Sequence, residues 1–88
     1  MPMVTVEFFG IPRVRAGVAA VAIDAADTDG LLRWLATEYP EFGKTCLARG
    51  RLRPEYLLNI NGRQFTREHD IPLHDGDTVL ILSADVGG

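Results

Sequence analysis

The chain has 88 residues, a net charge of −3 and one cysteine. That length suits a single domain, and the acidic balance excludes the basic stripe that a nucleic-acid partner demands. Cys46 alone can build neither an internal disulfide nor a multi-cysteine zinc site, no apolar run approaches the ~20 residues of a membrane span, and the N-terminus lacks a charged-then-apolar signal pattern. A small cytoplasmic domain with no nucleic-acid or membrane partner is expected.

Met3 to Phe9 alternates, with Val4, Val6 and Phe8 on one face and Thr5, Glu7 and Phe9 on the other. That period of two predicts a half-buried strand, and Phe9 is an aromatic on the face that should be polar. Gly10-Ile11-Pro12 ends the strand, and Arg13 to Gly17 reads as a loop. Ala19 to Asp24, with Val21 and Ile23 two apart, predicts a second strand paired with the first. Asp27-Thr28-Asp29 is rich in helix-capping types. Leu31, Leu32, Leu35 and Tyr39 then share one helical face, extended by Trp34. Pro40 closes the helix, so the spacing predicts a helix over about 28–39.

Glu41 to Pro54 is less legible. Phe42 and Leu47 could anchor a short helical turn, whereas Gly43 and Gly50 argue for a loop. Arg49, Arg51 and Arg53 read as scattered charge on a solvated loop, with an acidic partner as the alternative. Glu55 to Asn61 predicts a third strand, and Asn61-Gly62 is a hairpin signal that returns Arg63-Gln64-Phe65 as a short fourth. After a turn at His74-Asp75-Gly76-Asp77, Asp77 to Ser83 predicts the last strand. The order is an α+β arrangement: one mixed sheet of four to five strands on one main helix. The first and last strands are expected side by side in its middle, parallel, through a long crossover. Phe9, Leu80 and Leu82 would then point away from the helix and could form a contiguous apolar patch for a partner.

Nothing in the body of the chain reads as catalytic. Cys46 with His69 or His74 is the sole thiol–imidazole combination, and no ligand spacing links them, so no metal site is expected. Asp75 and Asp77 bracket Gly76 as turn formers, and the scattered glycines form no phosphate-binding cluster. The reactive feature is the end of the chain, Val86-Gly87-Gly88. Two glycines there by chance is expected at about half a percent, and glycine lets a backbone enter a narrow active site without side-chain clashes. A terminal carboxylate becomes electrophilic once transferred to the α-phosphate of ATP, after which a sulfur or amine nucleophile can capture the acyl carbon. Residues 1–83 would be the folded handle and 84–88 a flexible reactive tail.

These residues resemble the ubiquitin-like sulfur carriers of the MoaD/ThiS family. The likeness runs through Phe8-Phe9, Leu31-Leu32-Arg33-Trp34-Leu35 to Tyr39-Pro40, Asn59-Ile60-Asn61-Gly62, Leu73-His74-Asp75-Gly76-Asp77-Thr78-Val79 and Gly87-Gly88. It implies the β-grasp fold and a carrier that is not itself an enzyme and binds no cofactor. An E1-like enzyme using MgATP would adenylate Gly88, which then becomes a thiocarboxylate, with Gly87 and Val86 in the inserted tail. Phe9 and Leu82 match positions that, in this family, face the activating enzyme and the molybdopterin synthase large subunit; Leu80 lies beside them. Molybdopterin biosynthesis is the expected destination. Ser83-Ala84-Asp85-Val86 departs from the Pro-Pro-Val-x-Gly-Gly ending of molybdopterin carriers, and the long segment from Glu41 to Arg53 resembles carriers that feed cysteine or other thio-metabolites. A protein modifier, in which the same glycine acylates a lysine, is a further alternative, as is a β-grasp interaction domain whose glycines are incidental.

Overall fold

A computed structural model describes residues 2–84. Seven strands and three helices follow in the order β1 (Met3–Phe8), α1 (Ile11–Ala16), β2 (Ala20–Asp24), α2 (Thr28–Glu38), α3 (Pro40–Cys46), β3 (Leu47–Ala48), β4 (Arg51–Leu52), β5 (Tyr56–Ile60), β6 (Gln64–Thr66) and β7 (Thr78–Ser83). Five strands form one sheet in the order β2-β1-β7-β5-β6, while β3 and β4 make a separate two-stranded ribbon. β1 and β7 run parallel, Val6 against Val79 and Phe8 against Ile81, and every other pairing is antiparallel. The expected central pairing and the mixed sheet are both present.

Alternation decides the layers. Val4, Val6 and Phe8 of β1, Leu58 and Ile60 of β5, and Val79 and Ile81 of β7 are buried with Leu31, Leu32 and Leu35 of α2 and Phe42 of α3. Burying a large aliphatic or aromatic side chain stabilises by about 1.5–3 kcal/mol, so this layer holds the domain together. Phe8 meets Phe42 edge-on at 5.5 Å between ring centres and Tyr39 at 6.0 Å. Trp34 does not extend the core stripe; it is exposed on α2 and touches Tyr39 edge-on at 6.2 Å.

At the start of α2, Asp27 is the cap, its Oδ1 accepting from the Gly30 N–H at 2.8 Å. The fully buried Thr28 does another job: its hydroxyl donates to the Glu68 carbonyl at 2.8 Å and accepts from the Ile71 N–H at 3.2 Å. The loop leading to β7 is thereby tied to the helix.

Three segments differ from the sequence reading. Residues 13–16 are helical, because Pro12 sits in the first turn of α1, where its fixed φ and missing N–H suit a helix start. Gly17, at φ 80°, closes the turn with its N–H on the Arg13 carbonyl. The segment after Pro40 is a helix, with proline again in its first turn. Gly43, a loop signal in isolation, serves packing instead: a Cβ there would stand 3.3 Å from Ala36, so α2 and α3 meet with no side chain between them. Arg49 and Gly50, at φ 56° and 79°, form the turn of the β3–β4 ribbon; Leu47 and Leu52 face inward and Arg49, Arg51 and Arg53 outward.

Phe42 therefore belongs to the central core rather than to a surface loop. Phe42→Ala should destabilise the domain by about 3–5 kcal/mol, read as a loss of urea midpoint at unchanged m-value; a change below about 1 kcal/mol would place α3 outside the cooperative unit.

Candidate functional site

The end of the sheet opposite the tail is locked by hydrogen bonds that fix where β7 starts. The Asn61 N–H donates to the Thr78 carbonyl and its Oδ1 accepts from the Thr78 N–H, both at 2.8 Å. Asn61 Nδ2 also donates to Asp77 Oδ1 at 2.9 Å, and the His74 N–H donates to Asp77 Oδ2 at 2.8 Å. The Asn61 amide first, and the His74 N–H second, hold the Asp77 carboxyl below its ordinary pKa. Asp75 Oδ1 accepts from the Met3 N–H, and the Gly76 N–H donates to the Met3 carbonyl, each at 2.9 Å. The Asp-Gly-Asp turn thus joins the starts of β1 and β7 to the end of β5.

With register fixed there, parity fixes the faces. Val79 and Ile81 are fully buried, while Leu80 and Leu82 alternate onto the outer face, away from the helices. Leu82 lies opposite Leu57 of β5, and Leu80 lies between Glu7 of β1 and Asn59 of β5. Phe9 leaves β1 with its N–H donating to the Ile81 carbonyl at 2.9 Å, which brings it alongside Leu82 with 53% of its surface exposed. Phe9, Leu80 and Leu82 thus share the outer face, Phe9 exposed and the two leucines half-buried. Val86, Gly87 and Gly88 lie outside the described residues.

The patch is wider than those three residues. Leu57 joins the Leu82 row, and Phe65 of β6, opposite Asn59, is 65% exposed on the far edge. The parity signal for Leu57 was available, since it alternates with the core residues Tyr56 and Leu58; Phe65 could be placed only once the hairpin register was known. Glu7 and Asn59 stand in the same cross-strand row as Leu80 and Phe65, so the apolar side chains of this face are interrupted by polar ones.

The other candidates are not brought together. Cys46 is buried in α3. His69 Nδ1 lies 3.9 Å from Asp29 and His74 Nδ1 3.8 Å from Asp77. Among the described residues no cluster of His, Cys, Asp and Glu could hold a metal ion, and no helix is long and apolar enough to cross a membrane. Burial pushes the Cys46 thiol up to about 11 against opposing contributions from Tyr56, Arg15 and Arg53.

A family model described as the ThiS family matches residues 6–88. A search of curated sequences found no significant match. Among solved structures, small archaeal modifier protein 1 from Methanosarcina acetivorans superposes with a TM-score of 0.84 at 24% identity, covering 100% of this chain and 98% of that one. A putative molybdopterin converting factor subunit 1 from Pyrococcus furiosus gives 0.74 at 22%, with 94% and 98% covered. A chain of the Amycolatopsis orientalis BexX/CysO complex gives 0.79 at 22%, with 97% and 99% covered. These likenesses establish the β-grasp fold.

Two outcomes check the surface assignment. Leu82→Asp should leave the unfolding midpoint close to that of the parent, because the added charge stays in water, whereas Ile81→Asp should abolish folding, because the charge enters the core; unfolding by both would put Leu82 on the wrong face. Alkylation of Cys46 at pH 8 should be slow in the folded protein and rapid in urea. A thiol at pKa about 11 is ionised to roughly one part in a thousand at that pH, against about one in ten for an unperturbed group, and burial slows it further. Equal rates in the two states would show an accessible, reactive thiol.

Proposed function

This chain belongs to the ThiS family of ubiquitin-like carriers and modifiers, and on that premise we propose that it is a sulfur carrier whose reactive group is the carboxylate of Gly88. The observation that carries the reading is that the family match runs to the last residue, through Gly87 and Gly88. On this reading the domain is a substrate and partner of enzymes rather than an enzyme, and it binds no cofactor of its own. An E1-like enzyme supplies MgATP. The Gly88 carboxylate oxygen attacks the α-phosphorus, pyrophosphate leaves, and an acyl-adenylate forms. A sulfide nucleophile then attacks the acyl carbon and AMP leaves with the bonding pair, giving a terminal thiocarboxylate.

The outer face supports the docking step. Phe9, Leu82 and Leu57 form a row at the end of the sheet where β7 finishes, and Ala84 is held there by its N–H on the Glu55 carbonyl at 2.7 Å. A partner seated on that row is next to the point from which Val86, Gly87 and Gly88 must continue. The buried area supplies affinity that offsets the entropy of ordering a tail with two glycines. For the destination we propose molybdopterin biosynthesis, with the synthase large subunit as acceptor; cysteine, thiamin or another thio-metabolite is the alternative.

The intact mass of the protein isolated from its own cells tests the carrier reading. A fraction heavier by the difference between one sulfur and one oxygen atom is expected, and deleting Gly88 should remove it. A population found solely as covalent adducts on other proteins would instead establish a modifier. In that case Lys44, the only lysine in the chain and exposed on α3, would be the one side chain on which this protein could itself be extended.

A further inference from the structure

The outer face carries a polar notch within its apolar surface. A recess of about 340 Å³ opens there, lined by Glu7, Asn59, Asn61, Gly62, Thr78 and Leu80. It lies one residue row from Phe9, Leu82 and Leu57, a separation of about 7 Å along the strands, on the side away from the tail.

Two of its side chains are not accounted for by the fold. Asn59 is only 7% exposed although it sits on the outer face, between Leu80 and Phe65 in the cross-strand row. Among the described residues nothing hydrogen-bonds its carboxamide, and no buried polar side-chain atom there is sealed away without a partner, so the Asn59 amide opens into the recess. Water reaches that carboxamide in the free protein, so a partner that covers the recess has to supply hydrogen bonds in its place. Glu7 stands across Leu80 from it, and among the described residues its carboxylate forms no ion pair. The remaining polar wall is already committed: Asn61 spends its carboxamide on Asp77 and Thr78.

We propose that this recess receives a basic side chain, arginine above lysine, from the protein that docks on the outer face. A planar guanidinium offers a fork of donors, which the Glu7 carboxylate and the Asn59 carbonyl oxygen can share, while its flat surface lies against Leu80. The seat is next to the apolar row, so one partner can fill both. The shielding by Leu80 and Phe65 makes the charge-assisted pair stronger than one in open water. The proposal rests on the carrier reading only for the identity of the docking protein, the activating enzyme.

The first experiment does not depend on that identity. The ¹⁵N-labelled full chain is titrated with N-acetyl-arginine-N-methylamide and, separately, with its norleucine counterpart. Concentration-dependent shifts of the Asn59 side-chain amide and of the Thr78 and Leu80 backbone amides are expected with arginine alone, and Glu7→Gln, an exposed change that leaves the core untouched, should remove most of them. Equal shifts with norleucine, no shift, or shifts unaffected by Glu7→Gln would overturn the site. The second experiment measures ATP–pyrophosphate exchange by the E1-like enzyme of the same genome. Glu7→Lys should raise the KM for the carrier about tenfold, the order expected for losing one charge-assisted pair, with kcat unchanged. An unchanged KM overturns the assignment to the docking protein. Failure of the parent chain to be adenylated at all would instead overturn the carrier reading, and the titration would then decide the recess alone.

Discussion

The parallel pairing of β1 with β7 is the constraint on which the rest of the molecule depends. Two strands from opposite ends of the chain lie side by side, Thr5 against Thr78 through Phe8 against Ile81. A parallel pair cannot be closed by a tight turn, so all intervening elements act as the crossover and have to pack on one face. The cost is a large loop-closure entropy. It is offset by placing the most completely buried aliphatics, Val6, Val79 and Ile81, on the two central strands beneath α2. The Asp75-Gly76-Asp77 turn and Asn61 then pin the register from outside the core, where a slip by one residue would otherwise exchange the faces of β7.

That pinning turns strand parity into function. Along β7, Val79 and Ile81 belong to stability, and Leu80 and Leu82 to the surface. Substitutions on the two sets are therefore separable: one set acts on the core, the other on the outer face. The β1–β7 pair also brings Phe9 to the end of the sheet where β7 finishes, so the outer-face residues and the end of β7 are set by the same hydrogen-bond ladder. On the proposed carrier reading, this coupling keeps the distance from docking surface to reacting atom reproducible.

What could be read from the residues follows from the range of the interaction that decides each one. Alternation in Met3–Phe8 and Thr78–Ser83, the helical stripe Leu31-Leu32-Leu35 and the Asn61-Gly62 turn are local, and strands, main helix and hairpin were all legible. The helix of Phe42 and Cys46 was legible only as one of two alternatives, because Gly43 is a breaker by propensity and is explained only by the approach of Ala36 from another helix. Arg49 at positive φ was hidden for the same reason: arginine is a poor turn marker, and the ribbon exists because Leu47 and Leu52 can both reach the core. Pro12 read as a terminator, although proline suits a helix start equally well. The wider patch required register. Phe65 and Asn59 are distant from Phe9 in sequence and share its face only through two antiparallel pairings.

Asn59 carries this argument one step further. At its position in the middle of the outer face an aliphatic residue would join Leu57, Leu80, Leu82 and Phe65 in one uninterrupted apolar surface, which would bind more strongly and less selectively. An asparagine beside Glu7 divides that surface instead. Apolar rows tolerate sliding, since one leucine contact resembles the next, but a notch holding a carboxylate and a carboxamide is matched at one position only. Misplacing a partner by a residue row would leave Asn59 and Glu7 desolvated and unpaired, a penalty larger than the loss of a single apolar contact. In the proposed docking the polar pair therefore contributes to where the partner sits on the face beyond its share of the affinity. On the proposed reading, in which Gly88 meets a reacting phosphorus, position on that face is the quantity that matters.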